Sequence, residues 1–215
     1  MANNCVTNYV IRGEKEELLS LANTLNTMIN HENGYGRYWI GNLLMAFGMT
    51  KEEVLNTGCC RGTFSPDLNL VATLAFPDID EEWEFSVDDD GLLKLSTVTA
   101  WGRSDELHTI IKDKYPSLEF FFFSTDECGN FHEIHDPENL GGFSSFYFQR
   151  EYESSYYTED EYEKFLEDMR CEYPGLTVPD DREYLSSENF IDEFVKWRDE
   201  DESREETYFY VAKKI

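Results

Sequence analysis

Apolar and polar positions alternate through "NNCVTNYVIRG", where Cys5, Thr7 and Tyr9 interleave with Val6, Asn8 and Val10 before Gly13. That period of two predicts a strand. The period then changes. Leu18, Leu21, Ala22, Leu25, Met28 and Ile29 fall on one stripe at helical spacing, behind an acidic first turn of Glu14, Glu16 and Glu17, so a helix is expected from about Glu14 to Asn30. Trp39, Ile40, Leu43, Leu44 and Phe47 outline a second, short helix, and Thr50 with Glu53 forms a capping box for another helical turn. The stretch "CCRGTFSPDLN" reads as irregular. Trp83, Phe85 and Val87 alternate with Glu82, Glu84 and Ser86 ahead of the turn Asp88-Asp89-Asp90-Gly91, and a return strand runs from Leu92 to Ala100. This is a hairpin pattern.

Ser104 stands at an N-cap position, and Leu107, Ile110, Ile111 and Tyr115 give the inner face of a helix that Pro116 stops. "LEFFFFS" reads as a buried strand, and "NFHEIH" as another placed opposite "FSSFYFQREY". The order strand, helix, two strands, helix, strand predicts an α+β fold of the ferredoxin-like βαββαβ kind over residues 1–150: an antiparallel sheet with helices on one face, and an inserted helical segment at 38–57. Residues 151–215 read as an acidic, helix-rich extension packing on it. There a second capping box, Thr158 to Glu161, precedes Tyr162, Phe165, Leu166 and Met169, and a further helix carries Phe190, Ile191, Phe194 and Val195 before a last strand "TYFYVA".

Charge narrows the possible partners. The 215 residues include 45 acidic and 18 basic side chains, a formal charge of −27. Such a surface repels phosphate backbones and anionic membranes, so neither direct nucleic-acid binding nor membrane docking is expected. The charge is concentrated: residues 151–215 hold 21 acidic and 8 basic residues. This points to a protein partner with a basic surface. The amino terminus lacks a basic start and apolar run, and "LEFFFF" is too short to span a bilayer. Cys5, Cys59, Cys60, Cys128 and Cys171 form no CxxC pair. Free thiols and a cytoplasmic location are the expectation.

Candidate chemistry is sparse. Cys128, His132, Glu133 and His135 have zinc-ligating types, but on a strand His132 and His135 point to opposite faces. Cys59 and Cys60 lie beside Arg61, which lowers a thiol's pKa, yet catalysis also needs a positioned base, and the sequence places none of His31, His108, His132 or His135. Gly34-Tyr35-Gly36 lacks the rest of a dinucleotide loop and is a turn. The runs "DIDEEWE" and "RDEDESREE" lack EF-hand spacing. No catalytic, cofactor-binding or metal-binding residue is therefore nominated, and no cofactor. The aromatic strip "FSSFYFQREYESSYY", with Phe146, Phe148, Tyr152, Tyr156 and Tyr157 beside acidic residues, is either a core strand or an exposed face for a basic, hydrophobic partner.

In order, "MANNCVTNYVIRG", "YWIGNLL" with "CCRG", "TAWG" and "KYPSLEFFF" resemble the YubB-type (Api-like) ferredoxin-like domain of uncharacterised Bacteroides and phage proteins, over about residues 1–150. The resemblance implies a ferredoxin-like sheet and a mobile-element context. It implies no activity and transfers no functional residue. In similar proteins prolines often follow the TAW corner, whereas here the chain continues Gly102-Arg103-Ser104, so the corner is read as a hinge into the helix. The expected function is non-enzymatic binding of a macromolecule through an acidic surface. The alternatives are an acidic DNA mimic acting against host defence and a small thiol enzyme using Cys59 or Cys60.

Overall fold

The computed structural model describes residues 4–29, 31, 35–57, 62–66, 84–100, 102–126, 132–150, 153–185, 187–204 and 207–214. The fold is α+β. The chain divides into two compact units, Met1–Asn130 and Phe131–Ile215, whereas the junction expected from the sequence lay at residue 150.

The amino-terminal unit is built on strand β1 (Asn4–Arg12), helix α1 (Lys15–Ile29), the short helices α2 (Ile40–Ala46) and α3 (Lys51–Asn56), strands β2 (Thr63–Ser65) and β3 (Leu93–Ala100), helix α4 (Asp105–Lys114) and strand β4 (Glu119–Asp126). Its strands lie in the order β2-β3-β1-β4, every neighbour antiparallel. Register puts Tyr9 beside Leu95 and Phe122, and Ile11 beside Leu93 and Phe120. These rows meet Leu18, Leu21, Leu25 and Ile29 of α1, Leu43 and Leu44 of α2, and Leu107 and Ile111 of α4 in one core. Full burial stabilises by about 1.5–3 kcal/mol for each such side chain. The caps at Thr50 and Ser104 form as expected: each hydroxyl accepts the N–H three residues on.

The expected hairpin is only half present. The turn exists: Gly91 has φ +76°, and the Asp88 carboxylate accepts the Asp90 and Leu92 N–H groups. The incoming segment, however, meets the return strand in a single bridge, Val87 to Leu93. The reason is Asn26. Its side-chain amide donates to the Phe85 carbonyl at 2.8 Å and accepts the Phe85 N–H at 2.7 Å, so α1 supplies the partner that a neighbouring strand would have given. Trp83 lies outside the described residues. The strand beside β3 is instead Thr63–Ser65, within the segment read as irregular. Gly62 permits it: a Cβ there would lie 2.8 Å from the Val98 carbonyl and 2.9 Å from Ile40. The far edge of β2 is covered by backbone bonds from Ile40 N–H to Gly62 and from Phe64 N–H to Tyr38, a protected edge.

The carboxy-terminal unit is not simply helical. It contains β5 (His132–His135), β6 (Phe146–Arg150), β7 (Glu153–Tyr157), α5 (Tyr162–Glu172), α6 (Arg182–Leu185), α7 (Glu188–Asp199), β8 (Tyr208–Val211) and β9 (Lys213–Lys214). Strand β6 lies between β7 and β8, antiparallel to both. The expected pairing of 132–135 with 146–150 is therefore corrected, because β5 runs parallel to β9. Alternation alone specified that these segments were strands, not which strand each would meet. Phe146 and Tyr157 of the sheet pack on Phe165, Leu166 and Met169 of α5 and on Phe190, Phe194 and Trp197 of α7. Ile191, expected on the inner stripe of α7, is 44% exposed, and Trp197 takes the seam instead.

Candidate functional site

The three-stranded sheet sorts its side chains by parity. Register aligns Tyr157, Phe146 and Val211 in one row and Ser155, Phe148 and Phe209 in another; Phe146 and Tyr157 are buried, and Phe209 and Val211 pack on the cluster beneath. The alternate rows are Tyr156–Tyr147–Tyr210 and Ser154–Gln149–Tyr208. Three tyrosine positions thus share one register line, with a fourth in the next row. Tyr156 is 64% exposed and Tyr208 39%. The platform is fixed from below: the buried Tyr173 hydroxyl donates to the Tyr208 carbonyl at 2.9 Å, and Tyr157 donates to Asp168 at 2.7 Å. Burial, reinforced by that carboxylate, pushes the Tyr157 hydroxyl up to about 12.

Five of the unit's nine basic residues are held in ion pairs within it. Arg170 pairs with Asp180, Arg198 with Asp199 and Arg204 with Asp201. Arg182 and Lys214 both hold Glu159, at 2.6 and 2.5 Å. Burial raises the Glu159 carboxyl, but these two cations outweigh it and hold the group below its ordinary value. Glu163 and Glu167 on α5, and Asp192 and Glu193 on α7, are exposed. The outer faces of these two helices therefore carry negative charge.

Other nominated residues do not assemble. Cys59, Cys60, Arg61 and Cys128 lie outside the described residues. His132 and His135 sit on β5, and His135 lines a cavity of about 240 Å³ with Asp136, Asn139, Ser145, Glu159 and Lys214. Its carboxylates serve the fold: Asp136 accepts the Leu140 and Gly141 N–H groups at 2.8 and 2.9 Å, and Glu159 is held as above. Among the described residues no group of three or more His, Cys, Asp or Glu side chains is placed to hold a metal. No helix among them is long and apolar enough to cross a membrane.

At the TAWG corner the Thr99 hydroxyl donates to the Gly102 carbonyl, Arg103 lies 4.1 Å over the Phe122 ring, and Ser104 caps α4. Each of these contacts fixes the path of the chain into α4. Trp101 lies outside the described residues.

Within the aromatic strip, Phe146 and Tyr157 are core and Tyr156 is surface, while Tyr152 lies outside the described residues. Sequence reasoning missed Tyr208 and Tyr210. The signal was the alternation in "TYFYVA", but its meaning depended on the pairing of β8 with β6. No family model, curated protein or solved structure matches this chain.

Proposed function

We propose that the protein is a binding module that engages a basic stretch of another protein through the carboxylate-rich surface of its carboxy-terminal unit. The observation that carries this reading is the imbalance just described: Phe131–Ile215 holds 24 acidic and 9 basic residues, and five of those cations are already paired internally. The exposed carboxylates of α5 and α7 therefore act as a net negative field. Such a field accelerates encounter with a basic partner and repels acidic ones.

The test is titration of the full chain with an oligo-lysine peptide at about 0.1 M and about 1 M salt, where the Debye length shrinks from about 10 Å to about 3 Å. Binding is expected at the lower salt and lost at the higher. Replacing Glu163, Glu167, Asp192 and Glu193 by their amides is expected to weaken it about tenfold. The same change at Asp89, Asp90, Glu106 and Asp113 of the amino-terminal unit, all exposed, is expected to change it less than about twofold. Equal loss from both sets would remove the carboxy-terminal unit as the binding surface.

A further inference from the structure

We infer that the cavity of about 240 Å³ walled by Ile134, Asp136, Asn139, Ser145, Glu159 and Lys214 is a binding site for a small zwitterion of the α-amino acid class. It is independent of the charge reading above, because it concerns one recess of the carboxy-terminal unit rather than the unit's overall charge.

A buried hydroxyl marks the site. Ser145 is 2% exposed. Both its backbone groups are bonded: the N–H donates to the Tyr157 carbonyl, and the carbonyl accepts the Ala212 N–H, each at 2.8 Å. Its side-chain hydroxyl has no hydrogen-bond partner among the described residues. A buried polar group left unpaired is costly and rare in folded proteins, and this one belongs to a cavity wall. The space is smaller than the pockets of about 300–1,000 Å³ that hold drug-sized ligands, so the occupant is compact.

The walls carry both signs. Glu159 is held by two cations, Arg182 and Lys214, so these three groups together bear one net positive charge. Arg182 is committed to the fold: it lies 4.8 Å over the Phe146 ring and donates to the Ala212 carbonyl at 2.8 Å. The surplus charge therefore belongs to Lys214, whose ammonium has three N–H donors and spends one on Glu159. Register brings it there, since β9 runs parallel to β5 and sets Lys214 beside Ile134. The negative group is Asp136. Its oxygens accept the Leu140 and Gly141 N–H groups, which fixes the carboxylate, and each oxygen keeps a further lone pair. Asn139 is fixed through its amide N–H bond to Asp160 at 2.9 Å, a bond that does not use its Oδ1 acceptor.

A simple anion would meet Asp136, and a simple cation would meet Lys214. A molecule with one carboxylate and one ammonium satisfies both walls. Its carboxylate takes Lys214 and the Ser145 hydroxyl, its ammonium takes Asp136 and Asn139, and Ile134 covers a short aliphatic part. Because Asp136 and Asn139 are held by the fold beforehand, little ordering is left for the ligand to impose.

The experiment follows thermal unfolding of the full chain with alanine, and with propionate and ethylamine, which keep only one of its two charges. Alanine at about ten times its Kd is expected to raise the midpoint by about 2–4 °C, and the single-charge compounds to leave it unchanged. Ser145→Ala removes only an unpaired hydroxyl, so the unliganded midpoint should not fall, while calorimetry should show alanine binding weakened about tenfold. Lys214→Gln should weaken it at least as much. No shift with alanine, or an equal shift with propionate or ethylamine, would overturn the zwitterion site. Alanine binding that is unchanged in Ser145→Ala would remove it from this cavity. None of these outcomes bears on oligo-lysine binding, so the two readings fail separately.

Discussion

The two units solve the same packing problem with different materials. In the amino-terminal unit the helices contribute aliphatic stripes, and the sheet buries its hydroxyls and amides. Seven consecutive residues of β1, Cys5 to Ile11, are buried on both faces, with Thr7 bonded to Ser124 at 2.8 Å and Ser96 to Asn8 at 2.6 Å. In the carboxy-terminal unit the core is aromatic, Phe146, Phe165, Phe190 and Phe194 among others, while Tyr156 and Tyr208 are exposed. Polar groups turned inward and satisfied across strands fix register. Stacked and edge-on rings hold a core by area and shape rather than by hydrogen bonds. The contrast is between a core set by aliphatic stripes and buried hydrogen bonds and one set by stacked rings.

The largest expected effects come from attacking the two cores. Phe165→Ala removes a fully buried ring that stacks on Phe146 at 5.0 Å and meets Tyr157 at 5.5 Å. Urea denaturation should show a loss of about 3–5 kcal/mol. Leu25→Ala in α1 should cost about 2–5 kcal/mol. A Phe165 variant losing less than about 1 kcal/mol would mean that rings are not what holds the second core.

Next is Asn26→Ala. It leaves both the N–H and the carbonyl of Phe85 without their present partner, at about 1–3 kcal/mol for each group left unsatisfied. Slower amide exchange at Phe85 in the variant than in the parent would contradict the account of Asn26 as a substitute strand.

The same contrast explains what was legible from sequence. Aliphatic stripes at helical spacing, as in α1 and α4, translated directly into buried faces, and so did the capping hydroxyls Thr50 and Ser104, because both depend only on neighbours within a few residues. Strand pairing was not local. Asn26 and Phe85 are far apart in the chain, and nothing near either residue announces their bond. Gly62 lies in a segment that reads as irregular, and its need for glycine comes from the Val98 carbonyl, which would stand 2.8 Å from a Cβ there. In β1 the alternation suggested one wet face, yet Thr7, Asn8 and Tyr9 are residue types that can be buried when hydrogen-bonded or large. For the candidate surface, Tyr156 was visible as part of an aromatic strip, but Tyr208 and Tyr210 join it only through the register of β8 on β6.

Smaller effects sharpen the account of the buried hydroxyls. Thr7 and Thr97 stand opposite each other in register and both are fully buried, but the Thr97 hydroxyl has no hydrogen-bond partner among the described residues. Thr7→Val should cost about 1–2 kcal/mol, since it leaves Ser124 without its present partner. Thr97→Val should be neutral or slightly stabilising, because it removes a desolvated group without breaking a bond. Thermal unfolding of the pair reads the difference directly, and equal losses would show that Thr97 is bonded after all, for example to a buried water.

The most specific effect belongs to Tyr157, which joins the aromatic core to the carboxylate of Asp168. Tyr157→Phe keeps the ring in the core and deletes one bond to a charged acceptor, costing about 1.5–3 kcal/mol at most and less where the site is wet. The distinguishing readout is alkaline. The hydroxyl ionises near 12 in the folded chain against an ordinary value of 10.0, so the folded form holds its proton more tightly. That stabilisation is complete below pH 10 and is lost as pH rises from about 10 to about 12, where the unfolded chain gives up its proton first. The parent should therefore lose stability across this window more steeply than the phenylalanine variant, with Tyr9, also pushed up by burial, contributing equally to both. Parallel curves above pH 10 would mean that the Tyr157–Asp168 bond does not persist in solution.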